Sequence, residues 1–339
     1  MRIMRLVTFE VESRFGRDRK TGALSGDRVI DLSAARANQL RQNRHPAPVE
    51  IAQAELPSDM VELLKLGSSS LAAAREAVAH AEDDLDKAIK GSYAYTLDDV
   101  WLLPPLPRPP SLRCFLAGVE HVRRAFKEGP PQEWTQIPVY YKANCDEIYG
   151  PEDTVPWPAY SDKLDYELEI CAVIGTAGRN VSVEQADNLI VGYTIYNDWS
   201  ARDIQLREMS VGLGPSYGKD FASSIGPAIV TKDEFDLSRA QLTSRINGEE
   251  WSSGTSGELQ FSFPEIISWV SQEQTLHPGD LLGSGPVGGG NGVELDRWLP
   301  ESSVVELEVE GIGVLRNYVS ARGAGPVRAV DKVAGSRTK

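Results

Sequence analysis

Three short stretches of this sequence concentrate side chains that can do chemistry. The first is Asp165, Tyr166, Glu167, Leu168 and Glu169. On a β-strand alternate side chains share a face, so Asp165, Glu167 and Glu169 point one way and Tyr166, Leu168 and Ile170 the other. Neighbouring like charges on one strand face repel. An exposed strand of an acidic protein tolerates them, which is one reading. The strand, however, runs on into Cys171, Ala172, Val173, Ile174 and Gly175, a run apolar on both faces. Carboxylates at the mouth of a buried strand need a counter-charge, and hard oxygen donors suit Mg2+ or Ca2+.

In the second stretch an apolar strand ends in Asn197 and Asp198, and Trp199, Ser200, Ala201, Arg202, Asp203, Ile204 and Gln205 follow. A strand end can present a third carboxylate, while Arg202 and Gln205, three apart, share a helical face. The alternative is an aspartate helix cap beside a surface arginine. The third stretch is the glycine-rich segment 211–221, which carries Lys219. His121 stands apart from all three as a side chain suited to general-base work near neutral pH, or to a structural role.

Two motifs mislead. Gly214 to Gly218 spell Gly-x-Ser-x-Gly around Ser216. A nucleophile elbow needs a strand before the serine and a helix after it; here Pro215 precedes it and a strand follows. Gly283 to Gly288 spell Gly-x-Gly-x-x-Gly, but 289–300 leave no room for the helix that would hold a pyrophosphate. His80 belongs to a solvated helix face, His277 to a turn and His45 to a loop.

The elements that must position these residues fall into two parts. Residues 4–9 and 28–32 read as strands joined by a turn-rich segment, 16–26. Residues 69–90 have the three- and four-residue apolar spacing of an amphipathic helix. The prolines of 104–110 cannot continue a helix or a central strand and read as a stiff linker. Beyond it, 165–175, 189–196, 222–231, 241–247, 280–284 and 303–309 read as strands, with helices over 182–188 and 263–272. Runs of strands with few crossover helices favour a mostly antiparallel β architecture.

Composition narrows the function classes. The 339 residues carry 49 acidic against 35 basic side chains, a formal net charge of −14. Such a surface repels phosphate backbones and anionic lipids, so neither nucleic acid nor membrane is expected as a partner. No apolar run approaches the roughly 18 residues of a membrane span, and the start lacks a secretory signal. Three cysteines, Cys114, Cys145 and Cys171, without a paired framework suit a reducing, cytoplasmic setting.

Taken in order, these segments resemble the fumarylacetoacetate hydrolase family. The resemblance rests on Asp165 to Glu169, Asn197 to Gln205, Gly218 and Lys219, Arg245 to Gly248, and the run from Thr275 to Gly285. It covers roughly 111–322. It implies a mixed α/β, mostly β fold: a small N-terminal α+β domain over 1–103, the linker 104–110, a β-roll catalytic domain over 111–330, and a disordered tail over 331–339. It further implies a homodimer that binds Mg2+, Ca2+ or Mn2+ and acts on small 2-oxo or β-diketo acids. By resemblance Glu167, Glu169 and Asp198 are the metal ligands. Arg202, Gln205 and Lys219 hold substrate oxyanions, and Tyr141 contacts substrate. His121 is the water-activating base, oriented by Glu294. The expected activity is hydrolysis of a C–C bond in an acylpyruvate-type acid. Alternatives on the same site are a 2-oxo acid decarboxylase or a tautomerase/isomerase, neither needing activated water, or a member that binds ligand without turnover.

Four positions depart from the family pattern. Cys114 stands where nearer members have a fourth, aspartate ligand, Leu116 replaces a substrate tyrosine, and Pro286 replaces a threonine. Arg124 stands three residues after His121, so no His-x-x-Glu dyad forms. A soft thiol is a poor Mg2+ ligand, which predicts a three-carboxylate site with water in the fourth place. Alternatively Cys114 packs as a small apolar residue.

Overall fold

A computed structural model describes residues 4–256 and 259–329; the tail expected over 331–339 lies outside them. The chain opens with strands β1 (Arg5–Ser13), β2 (Gly16–Ser25) and β3 (Arg28–Asp31). The segment expected to be a turn, 16–26, is therefore a strand. It pairs residue for residue with β1, from Ser13↔Gly16 to Arg5↔Leu24. Its charged residues lie toward the exposed hairpin end, and Thr21 and Ala23 are buried. The ladder, rather than an apolar pattern, makes this strand.

Five helices follow: α1 (Leu32–Gln42), α2 (Pro48–Glu55), α3 (Met60–Lys65), α4 (Ser68–Glu82) and α5 (Leu85–Lys90). Aspartates start three of them, since Asp31, Asp59 and Asp84 accept from Ala34 N, Glu62 N and Lys87 N. The cap at Asp84 also explains why the helix expected over 69–90 is two helices. Strands β4 (Ala94–Thr96) and β5 (Val100–Leu102) close this part. The proline-rich segment after them has neither helix nor strand, yet Pro104 and Pro105 are buried, and Thr8 Oγ1 donates to the Pro105 carbonyl at 2.7 Å.

Next come β6 (Leu112–Phe115), α6 (Val119–Ala125), β7 (Tyr140–Lys142), β8 (Ile148–Tyr149), β9 (Thr154–Trp157), β10 (Leu164–Asp165), β11 (Leu168–Ile174), α7 (Val183–Ala186), β12 (Ile190–Asn197), β13 (Ser200–Ala201) and α8 (Arg202–Met209). The chain ends with β14 (Ser223–Thr231), β15 (Gln241–Ile246), β16 (Glu249–Thr255), α9 (Phe263–Val270), β17 (Leu281–Gly283), β18 (Val304–Val309) and β19 (Gly313–Arg322). The fold is thus mixed α/β with strands predominating.

Two sheets organise it. The larger runs β4-β3-β2-β1-β14-β12-β11-β17-β6-β7, and β1 joins β14 through Arg5↔Val230 and Leu6↔Ile229. The smaller runs β16-β15-β18-β19-β9. Alternation along β11 sorts the large sheet's two faces. Leu168, Ile170, Ala172 and Ile174 pack with Leu242, Leu307 and Leu315 of the smaller sheet. Cys171 and Val173 pack with Cys114, Tyr196 and the N-terminal helix residues Leu63 and Ala74. With both faces covered, β11 is buried throughout.

Candidate active site

Backbone register brings the first two chemical stretches together. β11 and β12 pair antiparallel with Leu168↔Asn197 and Glu169↔Tyr196. Asp198 therefore emerges opposite Glu167, and Asn197 Oδ1 accepts from Glu167 N at 2.9 Å. The strand expected from Asp165 is interrupted at Tyr166 and Glu167, between β10 and β11. The third stretch arrives through Ala201 N, which donates to the Gly218 carbonyl at 2.8 Å and sets Lys219 beside the cluster.

Asp165, Glu167, Glu169, Asp198, Arg202 and Lys219 are all buried. Lys219 Nζ lies 2.8 Å from Glu167 and 2.7 Å from Asp198. Arg202 donates through Nε to Asp165 and lies 2.8 Å from Glu167 through Nη1; Nη1 also reaches Gln205 Oε1 at 3.0 Å. Its Nη2 is buried and, among the described residues, without a hydrogen-bond partner. Tyr141 donates to both oxygens of Asp198 at 2.6 Å.

Glu169 is different. Its carboxyl receives the Gly285 N–H at 2.9 Å and the Cys114 thiol at 3.4 Å, and no basic side chain among the described residues pairs with it. The space it occupies exists because residue 283 is glycine: a Cβ there would lie 2.8 Å from Glu169 Oε2 and from the Tyr196 ring.

Electrostatics follow from this geometry. Burial works to raise the Glu167 pKa, but Lys219 and Arg202 outweigh it and hold this carboxyl below the ordinary range. Burial would discharge Lys219, yet Asp198 and Glu167 raise its pKa. For Glu169 burial and then the charges of Asp198 and Glu167 act together and push its pKa well up. Asp198 is also raised, by burial, with Lys219 opposing.

These residues fit a divalent cation. With all four buried carboxylates ionised, the two buried basic groups would leave two negative charges for a cation to balance, and Glu169 has no basic partner among the described residues. A donor atom each from Cys114, Glu169 and Asp198 lies within 4.8 Å of the others.

His121, on α6, shares its Nδ1 with the Glu294 carboxylate. Glu294 is held in turn by Asn291 Nδ2 at 2.8 Å and by Gly289 N at 2.7 Å. A carboxylate on Nδ1 leaves Nε2 as the nitrogen able to accept or give a proton. Asn291 forms an isolated bridge with Glu167, which ties the dyad to the acidic cluster.

Asp165, singled out by the acidic alternation but given no role, accepts from Arg202 and from Gly292 N at 2.7 Å and Val293 N at 3.1 Å. Sequence reasoning missed two contributors. Asn291 gave no signal. Glu208 accepts from the backbone N–H groups of Ser216, Tyr217 and Gly218, shaping the turn before Lys219. Ser216 Oγ is bonded to Glu208 at 2.8 Å, with no histidine as partner.

The family model for the fumarylacetoacetate (FAA) hydrolase C-terminal domain matches residues 112–320. The chain is 31% identical to oxaloacetate tautomerase YisK of Bacillus subtilis over 267 residues, 78% of this chain and 87% of that one. It is 32% identical to a mitochondrial oxaloacetate tautomerase of Homo sapiens over 268 residues, 78% of this chain and 80% of the other. Among solved structures it resembles the fumarylacetoacetate hydrolase of Exiguobacterium antarcticum, with TM-score 0.69 and 25% identity over 94% of this chain and 100% of that one. It also resembles 5-carboxymethyl-2-hydroxymuconate delta-isomerase of Mycobacterium smegmatis, with TM-score 0.57 and 29% identity over 68% and 86%. These findings overturn the expected C–C hydrolysis. The sequence relatives at 31% and 32% identity are oxaloacetate tautomerases and one structural neighbour is a delta-isomerase, while the hydrolase name belongs to a structural neighbour at 25% identity.

Proposed function

The chain belongs to the fumarylacetoacetate hydrolase family, and from that premise we propose that it is a tautomerase of small 2-oxo acids, with oxaloacetate as the model substrate. The observation that carries this reading is a histidine–carboxylate dyad set beside a buried cluster with an unpaired arginine N–H. In keto–enol exchange the C–H bond next to the carbonyl breaks, its electron pair becomes the C=C bond, and the carbonyl oxygen takes a proton. His121 Nε2 suits both halves of that transfer, removing the proton from carbon and returning one to oxygen, while Glu294 steadies the imidazolium between them. Arg202 Nη2 would donate to a substrate carboxylate, a pairing supported by its being buried without a hydrogen-bond partner among the described residues. Lys219 places positive charge where the enolate oxygen develops. Gln205 fixes the Arg202 fork, and Tyr141, through its hydrogen bonds to Asp198, orients that carboxylate.

Glu167, Glu169 and Asp198 are the side chains that would hold a divalent cation, which when bound supplies Lewis-acid stabilisation of negative charge on substrate oxygens. The reading needs no water attack, in keeping with the relatives. Following the decay of enol oxaloacetate by ultraviolet absorbance tests it. Wild-type protein should accelerate the decay, and His121→Gln should slow the enzymic rate by ~10²–10⁴. A wild-type protein that leaves the enol at its uncatalysed rate would refute the proposal.

A further inference from the structure

The proposed site contains a donor that a purely oxygen-liganded site would lack. Register puts it there. β6 pairs with β7 so that Cys114 lies opposite Tyr141, and β17 sets Gly283 between Cys114 and Cys171. With no side chain at 283, Cys114 Sγ reaches across to Glu169, 3.4 and 3.5 Å from its two oxygens. Cys114, Glu169 and Asp198 form the one such buried group of metal-capable side chains among the described residues. Glu167 is not one of those three; its oxygens meet Arg202 and Lys219, as those of Asp198 meet Lys219 and Tyr141.

We propose that Cys114 is itself a ligand of the cation, so that the site prefers a thiophilic divalent ion such as Zn2+ or Co2+ to Mg2+ or Ca2+. The inference rests on the cation reading of this site and deepens it. Binding would break the S–H bond, form a sulfur–metal bond and release the proton to solvent. Thiolate is a soft donor and discriminates against hard ions that carboxylates alone would accept. A cysteine acting as an apolar filler would instead leave metal choice unchanged.

The test uses full-length protein stripped of metal by a chelator. Adding Co2+ should produce a near-ultraviolet thiolate-to-cobalt charge-transfer band, absent from Cys114→Ser. By calorimetry Cys114→Ser should weaken Zn2+ binding about tenfold or more, leave Mg2+ binding nearly unchanged, and Cys114→Asp should tighten Mg2+. If Cys114→Ser fails to fold, the wild-type cobalt spectrum decides alone. Co2+ that binds without the band, with Zn2+ affinity equal in wild type and variant, overturns the thiolate ligand and leaves the cation site standing. Absence of binding by any divalent ion overturns both.

Discussion

Glu169 fits its place because residue 283 carries no side chain. Gly283→Ala puts a methyl group 2.8 Å from Glu169 Oε2 and against Tyr196. Neither neighbour is free to move, since one is a candidate ligand and the other is wholly buried. Overpacking of this kind costs ~1–3 kcal/mol, so thermal denaturation should show a lowered midpoint and calorimetry a weakened cation affinity; an unchanged pair of values would mean Glu169 lies elsewhere. Arg202 makes a second test. Its fork spans Asp165, Glu167 and Gln205 while keeping Nη2 in reserve, and lysine cannot reproduce that geometry. Arg202→Lys should raise KM for a 2-oxo acid by roughly tenfold to a hundredfold, the scale of one lost hydrogen bond to a charged group, with a smaller effect on kcat. A kcat loss at constant KM would assign Arg202 to the proton transfer instead.

At the scale of elements, the loop that delivers Lys219 depends on α8. Glu208 gathers three backbone N–H groups of 216–218, so Glu208→Ala should lower kcat while leaving the thermal midpoint almost unmoved; equal activity would show that the loop holds itself. Legibility of the sequence also divides by element. The strands β11, β12 and β14 were readable because both faces of each are covered and composition follows burial, and β18 because its buried residues alternate with glutamates on the open face. The acidic alternation and the Asn197–Gln205 segment were readable because their residue types are costly to bury without purpose. β2 was not, because its charged residues lie at the solvated end of a hairpin made by backbone pairing. The helices α1, α2 and α3 were missed as well: they are short or mix polar with small apolar residues, and their caps Asp31 and Asp59 look like ordinary turn residues. Asn291 was invisible for another reason. Its role comes from a bridge to Glu167, 124 positions away in sequence by their numbering, and nothing local announces such a contact.

Across the whole molecule, the large sheet carries both the N-terminal hairpin and the site. Leu6 lies at the junction, fully buried beside Ile229. Leu6→Ala should cost ~2–5 kcal/mol of stability, read from denaturant unfolding, without changing kcat per folded molecule; a parallel loss of kcat would mean the junction shapes the site. Charge gives a pH dependence. In the metal-free protein Glu169 holds its proton more tightly when folded than when unfolded, because burial and neighbouring carboxylates raise its pKa. Stability from that proton is present at acid pH and falls as pH climbs above the ordinary carboxylate range. A cation must displace the proton, so its stabilisation of the fold should grow between roughly pH 5 and pH 8. No growth with pH would remove Glu169 from the ligand set. The central claim is that this fold moves a proton on a 2-oxo acid rather than cleaving a carbon–carbon bond. The most direct measurement places the metal-loaded protein in one cuvette with enol oxaloacetate and in another with an acylpyruvate. The account predicts accelerated enol decay in the first, lost in His121→Gln, and an intact acylpyruvate in the second; cleavage of the acylpyruvate with enol decay at its uncatalysed rate would contradict it.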